Sequence, residues 1–319
     1  MRTLGWPVVL LLISIMSSSV VMADTQYWRL STDGLTVISD GSARRCEKLA
    51  FQFLRFQRLL RELADLDEDF SFAPLTVYSL SENDARRVLL TDADKKQQSA
   101  QNIRIFSKYL PGTDLSIAAI VDIGGDEPLQ SVLLTYARGV LTAGPTRGFP
   151  VWYVIGVADV TNGLMVRDDG SVLLSREAPF EPVVEKTAHA KYDLSTLLST
   201  TYKDLSSGGD WKEFSKRARE WAQYGLLTSS DRRQHYRELA ILMRQGTPAD
   251  EAIRQAFALS LAAVASDFED GRWRHDAVFK VPPSEAHPTI PAAQSIDPAQ
   301  AQTALQAVAD RVAQQPAVQ

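Results

Sequence analysis

The chain carries only one cysteine and four histidines, and both scarcities exclude chemistry. A single cysteine forbids any intramolecular disulfide, so the fold needs a core large enough to stand without staples. With 45% apolar residues, that core is available as one large domain or two smaller ones. Cys46 falls on the apolar stripe of an expected helix, which marks it as a small buried residue. His189, His235, His275 and His287 lie far apart, and no H-x-x-x-H occurs. No imidazole pair therefore stands at the spacing a zinc site uses.

A strong charge of one sign is also missing. Without Arg2, the 34 Lys and Arg become 33 against 39 acidic side chains, a net charge of −6. The sequence has no basic stripe for nucleic acid and no polybasic block for a lipid surface. There is no G-x-S-x-G elbow, no Walker motif and no dinucleotide fingerprint. Gly124-Gly125 reads as a turn and Ser206 to Gly209 as an interhelical loop. The acids Asp122, Asp126 and Glu127 lack the ligand alternation of a calcium loop.

Long apolar runs are confined to the start. Arg2, the run Val8 to Met16 and the small-residue pattern Val21-Met22-Ala23 predict an export signal cleaved after Ala23. The run is shorter than the roughly 20 residues of a spanning helix. The expectation is a periplasmic or secreted mature protein, with no stable membrane insertion after cleavage. No cysteine near the cleavage point suggests a lipoprotein anchor.

What is present is a succession of short patterned segments. Trp28 to Leu30 and Leu35 to Ile38 read as a hairpin around Asp33-Gly34. Asp40 or Ser42 caps a long helix with Leu49, Phe53, Phe56, Leu60 and Leu63 on its apolar stripe. Strands are expected at 75–80, 103–109 and 115–123, and helices at 82–90, 129–141 and 150–160. A hairpin follows around Asp169-Gly170. From Leu194 onward the pattern is helical, with Thr247 as an expected cap and Pro248 in the first turn of the next helix. Beyond Lys280, Pro, Ala and Gln dominate, and residues 281–319 read as a flexible tail with a weak helical pattern from Pro298 to Val312.

The stretches Leu134 to Leu141 and Trp152 to Asp159, with the opening Leu35 to Asp40 and the Phe214…Trp221-Ala222 helix, form an ordered set. Together, over roughly Trp28 to Trp273, they resemble the bacterial exported peptidase-MA-like family. These are gluzincin-type proteins often followed by tetratricopeptide repeats. The resemblance implies an α+β, zincin-like domain over residues 24–280, with a mixed sheet and helices first and a helical lobe second.

The family carries H-E-x-x-H on one helix and W-x-x-E-G-x-A-E on the next. Zinc needs two imidazoles one turn apart, a carboxylate from the second helix and a glutamate to take the water's proton. Here Thr135 and Gly139 stand in place of the histidines, Tyr136 in place of the catalytic glutamate, and Ile155 in place of the ligand carboxylate. The resemblance thus implies a degenerate site without metal, cofactor or catalytic residue. Trp152, Tyr153 and Asp159 are the candidate cleft residues.

The expected function is that of an exported pseudopeptidase, a protein-binding or scaffolding module of the cell envelope. Its partner would be an envelope protein or extended peptide segment docking along Leu115 to Val121 as a sheet edge, with Trp152 and Tyr153 as an aromatic floor. The alternatives are an active hydrolase with a non-standard site and a structural assembly module.

Overall fold

The computed structural model describes residues 26–32, 34–66, 70–90, 108–112, 115–121, 127–143, 148–161, 164–166, 172–174, 192–271, 280–281 and 288–314. The expected export segment, the expected strand residues 103–107, the turns expected at Gly124–Asp126 and Asp169-Gly170, and His189, His275 and His287 lie outside them.

The chain opens with β1 (Tyr27–Thr32) and β2 (Leu35–Ser39), paired antiparallel across Gly34, whose φ of 72° only glycine adopts freely. Helix α1 (Ala43–Ala64) starts at Ser42, whose hydroxyl accepts from the Arg45 amide, and ends at Asp65 in the left-handed region. Cys46, Leu49, Phe53, Phe56, Leu60 and Leu63 are its buried stripe. The Cys46 thiol donates to the Trp28 carbonyl, and burial pushes its pKa up to about 12. At neutral pH it is an inert thiol rather than a nucleophile.

Then come β3 (Leu75–Leu80), α2 (Glu82–Leu89), β4 (Lys108–Leu110) and β5 (Ser116–Val121). The larger sheet has the order β4-β5-β3-β2-β1-β9, where β9 is Gln294–Ile296. β2, β3 and β5 run parallel, and β1, β4 and β9 are antiparallel to their neighbours.

Side chains of the inner strands alternate between two cores. Val37, Val77, Ala118 and Ile120 face α1, whereas Ile38, Tyr78, Ile117, Ala119 and Val121 face the opposite layer. Every residue of β5 is buried, so Leu115 to Val121 is not the sheet edge it was expected to be. β5 is flanked by β4 and β3, and its unbroken apolar run is that of a strand covered on both faces.

Helices α3 (Glu127–Thr142) and α4 (Val151–Thr161) lead into the hairpin β6 (Leu164–Val166) and β7 (Val172–Leu174). Next come α5 (Leu194–Ser199), α6 (Tyr202–Ser206), α7 (Trp211–Leu227), α8 (Ser230–Arg244), α9 (Ala249–Phe257) and α10 (Leu261–Asp270). α4 is buried almost all round, and its Gly156 sits where a Cβ would lie 2.5 Å from the Ala218 carbonyl oxygen of α7. That absence of a side chain lets the two helices touch. One continuous apolar cluster runs from the sheet through α4 to α7–α10, joining the sheet and helical halves. α9 begins at Pro248 with no side-chain cap; Thr247 instead donates its amide to Leu242 in the turn that ends α8.

Within the segment whose composition reads as a flexible tail, the helical pattern from Pro298 to Val312 is indeed a helix, and residues 288–314 are built into the fold. After β8 (Lys280–Val281), which pairs with β7, β9 adds to β1 and helix α11 (Pro298–Ala313) covers the second face of the sheet. Ala301, Leu305, Val308 and Val312 recur at helical spacing and pack with Leu110, Ile117, Ala119 and Val121. Asp297 caps the helix, and Pro298 occupies its first turn.

Candidate functional site

The four positions that the resemblance assigns to zinc chemistry lie on α3 and α4 but do not converge. Thr135 is exposed, and its hydroxyl donates back to the Ser131 carbonyl. Ile155 is buried in the main core. Tyr136 and Gly139 turn the other way, toward β4 and α1.

Tyr136 is packed edge-on against Phe53 and Tyr109, with ring centroids 6.1 and 5.4 Å away, and Phe72 lies 6.5 Å off. Its hydroxyl accepts from Gln57 Nε2 at 2.8 Å. Burial raises its pKa far above the ordinary range, so the hydroxyl stays protonated. Beside it, Gly139 has no side chain because the Tyr109 ring is there: a Cβ would meet Tyr109 Cε1 at 2.7 Å.

These residues wall a cavity of about 570 Å³ lined by Phe70, Phe72, Tyr109, Ser116, Tyr136 and Gly139. Its lining is mostly apolar. The polar exception is a short relay in which Tyr109 donates to Ser116 Oγ at 3.1 Å and the Gly112 amide donates to the same oxygen at 3.4 Å. Tyr109 too is pushed upward by burial. Both hydroxyls are engaged within the protein, Tyr109 with Ser116 and Tyr136 with Gln57, and neither is a base at neutral pH.

A larger hollow of about 1050 Å³ lies across the Phe70–Phe72 segment, with Gln57, Arg58, Arg61, Glu62 and Asp65 around it. Its charges are largely matched within the protein: Arg58 pairs with Glu62 at 3.7 Å, Asp65 with Arg237 at 3.2 Å, and Arg61 donates to the Phe70 carbonyl. The apolar cavity is the better-formed ligand site.

Trp152 and Tyr153 do not form an aromatic floor. They are 0% and 1% exposed, stacked into a cluster with Phe149 and Tyr236, and Tyr153 donates to the Ala64 carbonyl. A helix apolar on every side is a core helix, which is the signal against a cleft role. Asp159 is bound up as well. Arg138 Nη2 lies 2.6 Å from one carboxylate oxygen, and Ser215 donates to the other at 2.7 Å, tying α3, α4 and α7 together. Tyr136 and Arg138 thus face opposite ways, as residues two apart on a helix must.

Among the described residues, no group of three or more His, Cys, Asp and Glu is arranged to hold a metal, and no helix is long and apolar enough to cross a membrane. No family model matches the chain, and no curated protein shows significant similarity to it. Tyr109, Phe70 and Phe72 were missing from the sequence-derived site. Tyr109 comes from a three-residue strand and the phenylalanines from a loop, and neither pattern announces a pocket.

Proposed function

We propose that the protein is an exported, non-catalytic binding module of the bacterial cell envelope, with a peptidase-MA-like, zincin-type core whose metal positions carry residues without ligand chemistry. It holds an extended segment of a partner protein along β4, with one aromatic or branched apolar side chain of that segment in the Tyr109–Tyr136 cavity. The observation that carries this reading is the cavity itself, an aromatic-walled hollow on the Tyr109 face of the outermost strand.

Among the described residues, no strand pairs with the outer side of β4. An added strand would gain its affinity from main-chain hydrogen bonds. Alternate side chains on it would fall on the face that Tyr109 presents. Affinity from the backbone and selectivity from one pocket suit recognition of a segment rather than turnover of it.

The test is a titration with a capped heptapeptide of valine and threonine bearing a central phenylalanine. The same peptide with a central aspartate serves as control. Ala143 is exposed and lines the cavity mouth, so Ala143→Phe should plug it without entering the core. Saturable binding of the phenylalanine peptide, lost in Ala143→Phe at unchanged melting temperature, is the expected result. Equal binding of both peptides, or of both proteins, removes this function from the cavity.

A further inference from the structure

The turn that rims this cavity is held from outside by the C-terminal helix. Arg311, in the last turn of α11, donates through Nη1 to the Leu115 carbonyl at 2.7 Å and through Nη2 to the Pro111 carbonyl at 2.8 Å. One guanidinium thus closes both ends of the turn between β4 and β5. Its fork geometry suits this, since a planar group with divergent donors fixes two acceptors at once.

The inner side of the same turn is pocket wall: Pro111, Gly112 and Ser116 all line the cavity. Gly112 lies directly beneath the guanidinium. A Cβ there would come within 2.1 Å of Arg311 Nη2 and 2.2 Å of the Leu115 carbonyl oxygen. The Gly112 amide in turn donates to Ser116 Oγ, the oxygen that also receives the Tyr109 hydroxyl. The chain of contacts is short and continuous from Arg311 to Tyr109.

We propose that Arg311 is a positioning residue for the aromatic cavity, and that filling the cavity and docking the last turn of α11 favour one another. The proposal rests on the reading of the cavity as the ligand site. The bistable element is the last turn of α11, because helix ends open far more readily than the middles of helices do. Docked, the turn holds Pro111 and Leu115 and fixes the Gly112–Ser116–Tyr109 wall. Frayed, it releases both carbonyls. A ligand that needs the fixed wall must then stabilise the docked turn by the same factor as the docked turn improves the ligand's affinity. The upstream part of α11 is anchored separately, by Ala301, Leu305 and Val308 and by Gln302 donating to the Tyr27 hydroxyl at 2.9 Å, while in the last turn the buried Val312 packs beside the Arg311 contacts.

The experiment uses the full mature chain and the phenylalanine heptapeptide as probe. Arg311→Ala should weaken binding about tenfold, a difference well within reach of titration. Arg311→Lys should recover part of that loss, because an ammonium can serve one carbonyl but not both in a fixed plane. Gln302→Ala cuts a polar tie of α11 remote from the cavity and should leave the affinity unchanged. Peptide should slow amide exchange over residues 311–313 in the wild type. Without any peptide, exchange of the Gly112 amide should quicken in Arg311→Ala. Wild-type binding retained in full by Arg311→Ala overturns the coupling and leaves the cavity reading standing. No binding by any variant overturns both. An unchanged Gly112 exchange rate overturns the positioning role whatever the ligand proves to be.

Discussion

The ring of Tyr109 occupies the space that a side chain on Gly139 would fill, with Cε1 only 2.7 Å from the position of the missing Cβ. The two residues define each other: a glycine inside a helix is costly, and here, in the last turn of α3, it is what lets the edge strand carry an aromatic ring onto the helix surface.

Gly139→Ala sets two terms against each other. Alanine in a helix interior gains up to about 1 kcal/mol over glycine. Pushing the Tyr109 ring aside costs about 1–3 kcal/mol where packing is tight. Since Tyr109 is half-buried on an edge strand, the expected net change is a loss of about 1 kcal/mol in urea unfolding, with a clear loss of peptide binding as the wall moves. A variant that is more stable and binds as before would show that Tyr109 does not wall the site.

Gly156→Ala meets backbone rather than a ring. The new methyl would lie 2.5 Å from the Ala218 carbonyl oxygen and 2.9 Å from the Ala222 Cβ, and neither can yield without parting α4 from α7. The expected loss is about 3 kcal/mol, at the upper end of overpacking costs. Chemical denaturation measures it, and a loss below that for Gly139→Ala would contradict the packing described.

Alkaline pH should unfold the protein in a defined window. Burial raises the Cys46 thiol from its ordinary value of 9.0 to about 12. Burial, and after it a hydrogen bond to Asp84, raises the Tyr27 hydroxyl from 10.0 to about 12. Burial moves Tyr136, Tyr153 and Tyr236 upward too. Because the folded state holds these protons more tightly, their stabilisation is complete below pH 9 and is lost as pH rises toward 12. Urea midpoints measured from pH 7 to 11 should be flat to about pH 9 and then fall. Cys46→Ala should shift the onset toward the tyrosine range.

Tyr236 is fully enclosed between Trp152, Tyr153 and Trp221, and among the described residues its hydroxyl has no hydrogen-bond partner. Removing an unsatisfied buried group while keeping its shape relieves a penalty of about 1 kcal/mol or more. Tyr236→Phe should therefore melt no lower than the wild type, and up to several degrees higher. A destabilised variant would point to a buried water holding that hydroxyl.

The parts of this fold that follow from local rules were readable in advance. Ser42 caps α1, the apolar stripe of Leu49 to Leu63 is the buried one, and the 75–80 strand has the expected bounds. Burial on two faces was where pattern reading failed. The resemblance implies an edge at Leu115 to Val121, whereas the unbroken apolar run of β5 is that of an inner strand, and the all-apolar α4 is an encased helix rather than a cleft wall. In the tail the Ala301-Leu305-Val308-Val312 stripe makes the helix legible, while the Pro- and Gln-rich composition hides that it packs on the sheet. The cavity was illegible for a different reason. Tyr109, Phe72 and Tyr136 meet only through the packing of a loop, a short strand and a helix, and no local spacing encodes that meeting.

The pairing of Tyr27 with Ile296 and of Arg29 with Gln294 also sets a timetable. Among the described strands β1 is made first, and its outer neighbour β9 is made last. Until then the second face of the sheet also lacks α11, leaving Ile117, Ala119 and Val121 without that cover. Contacts spanning so much sequence close late and slowly. The sheet is therefore finished from its distant end, and β9 acts as a clasp that fastens β1 only after the elements between them exist.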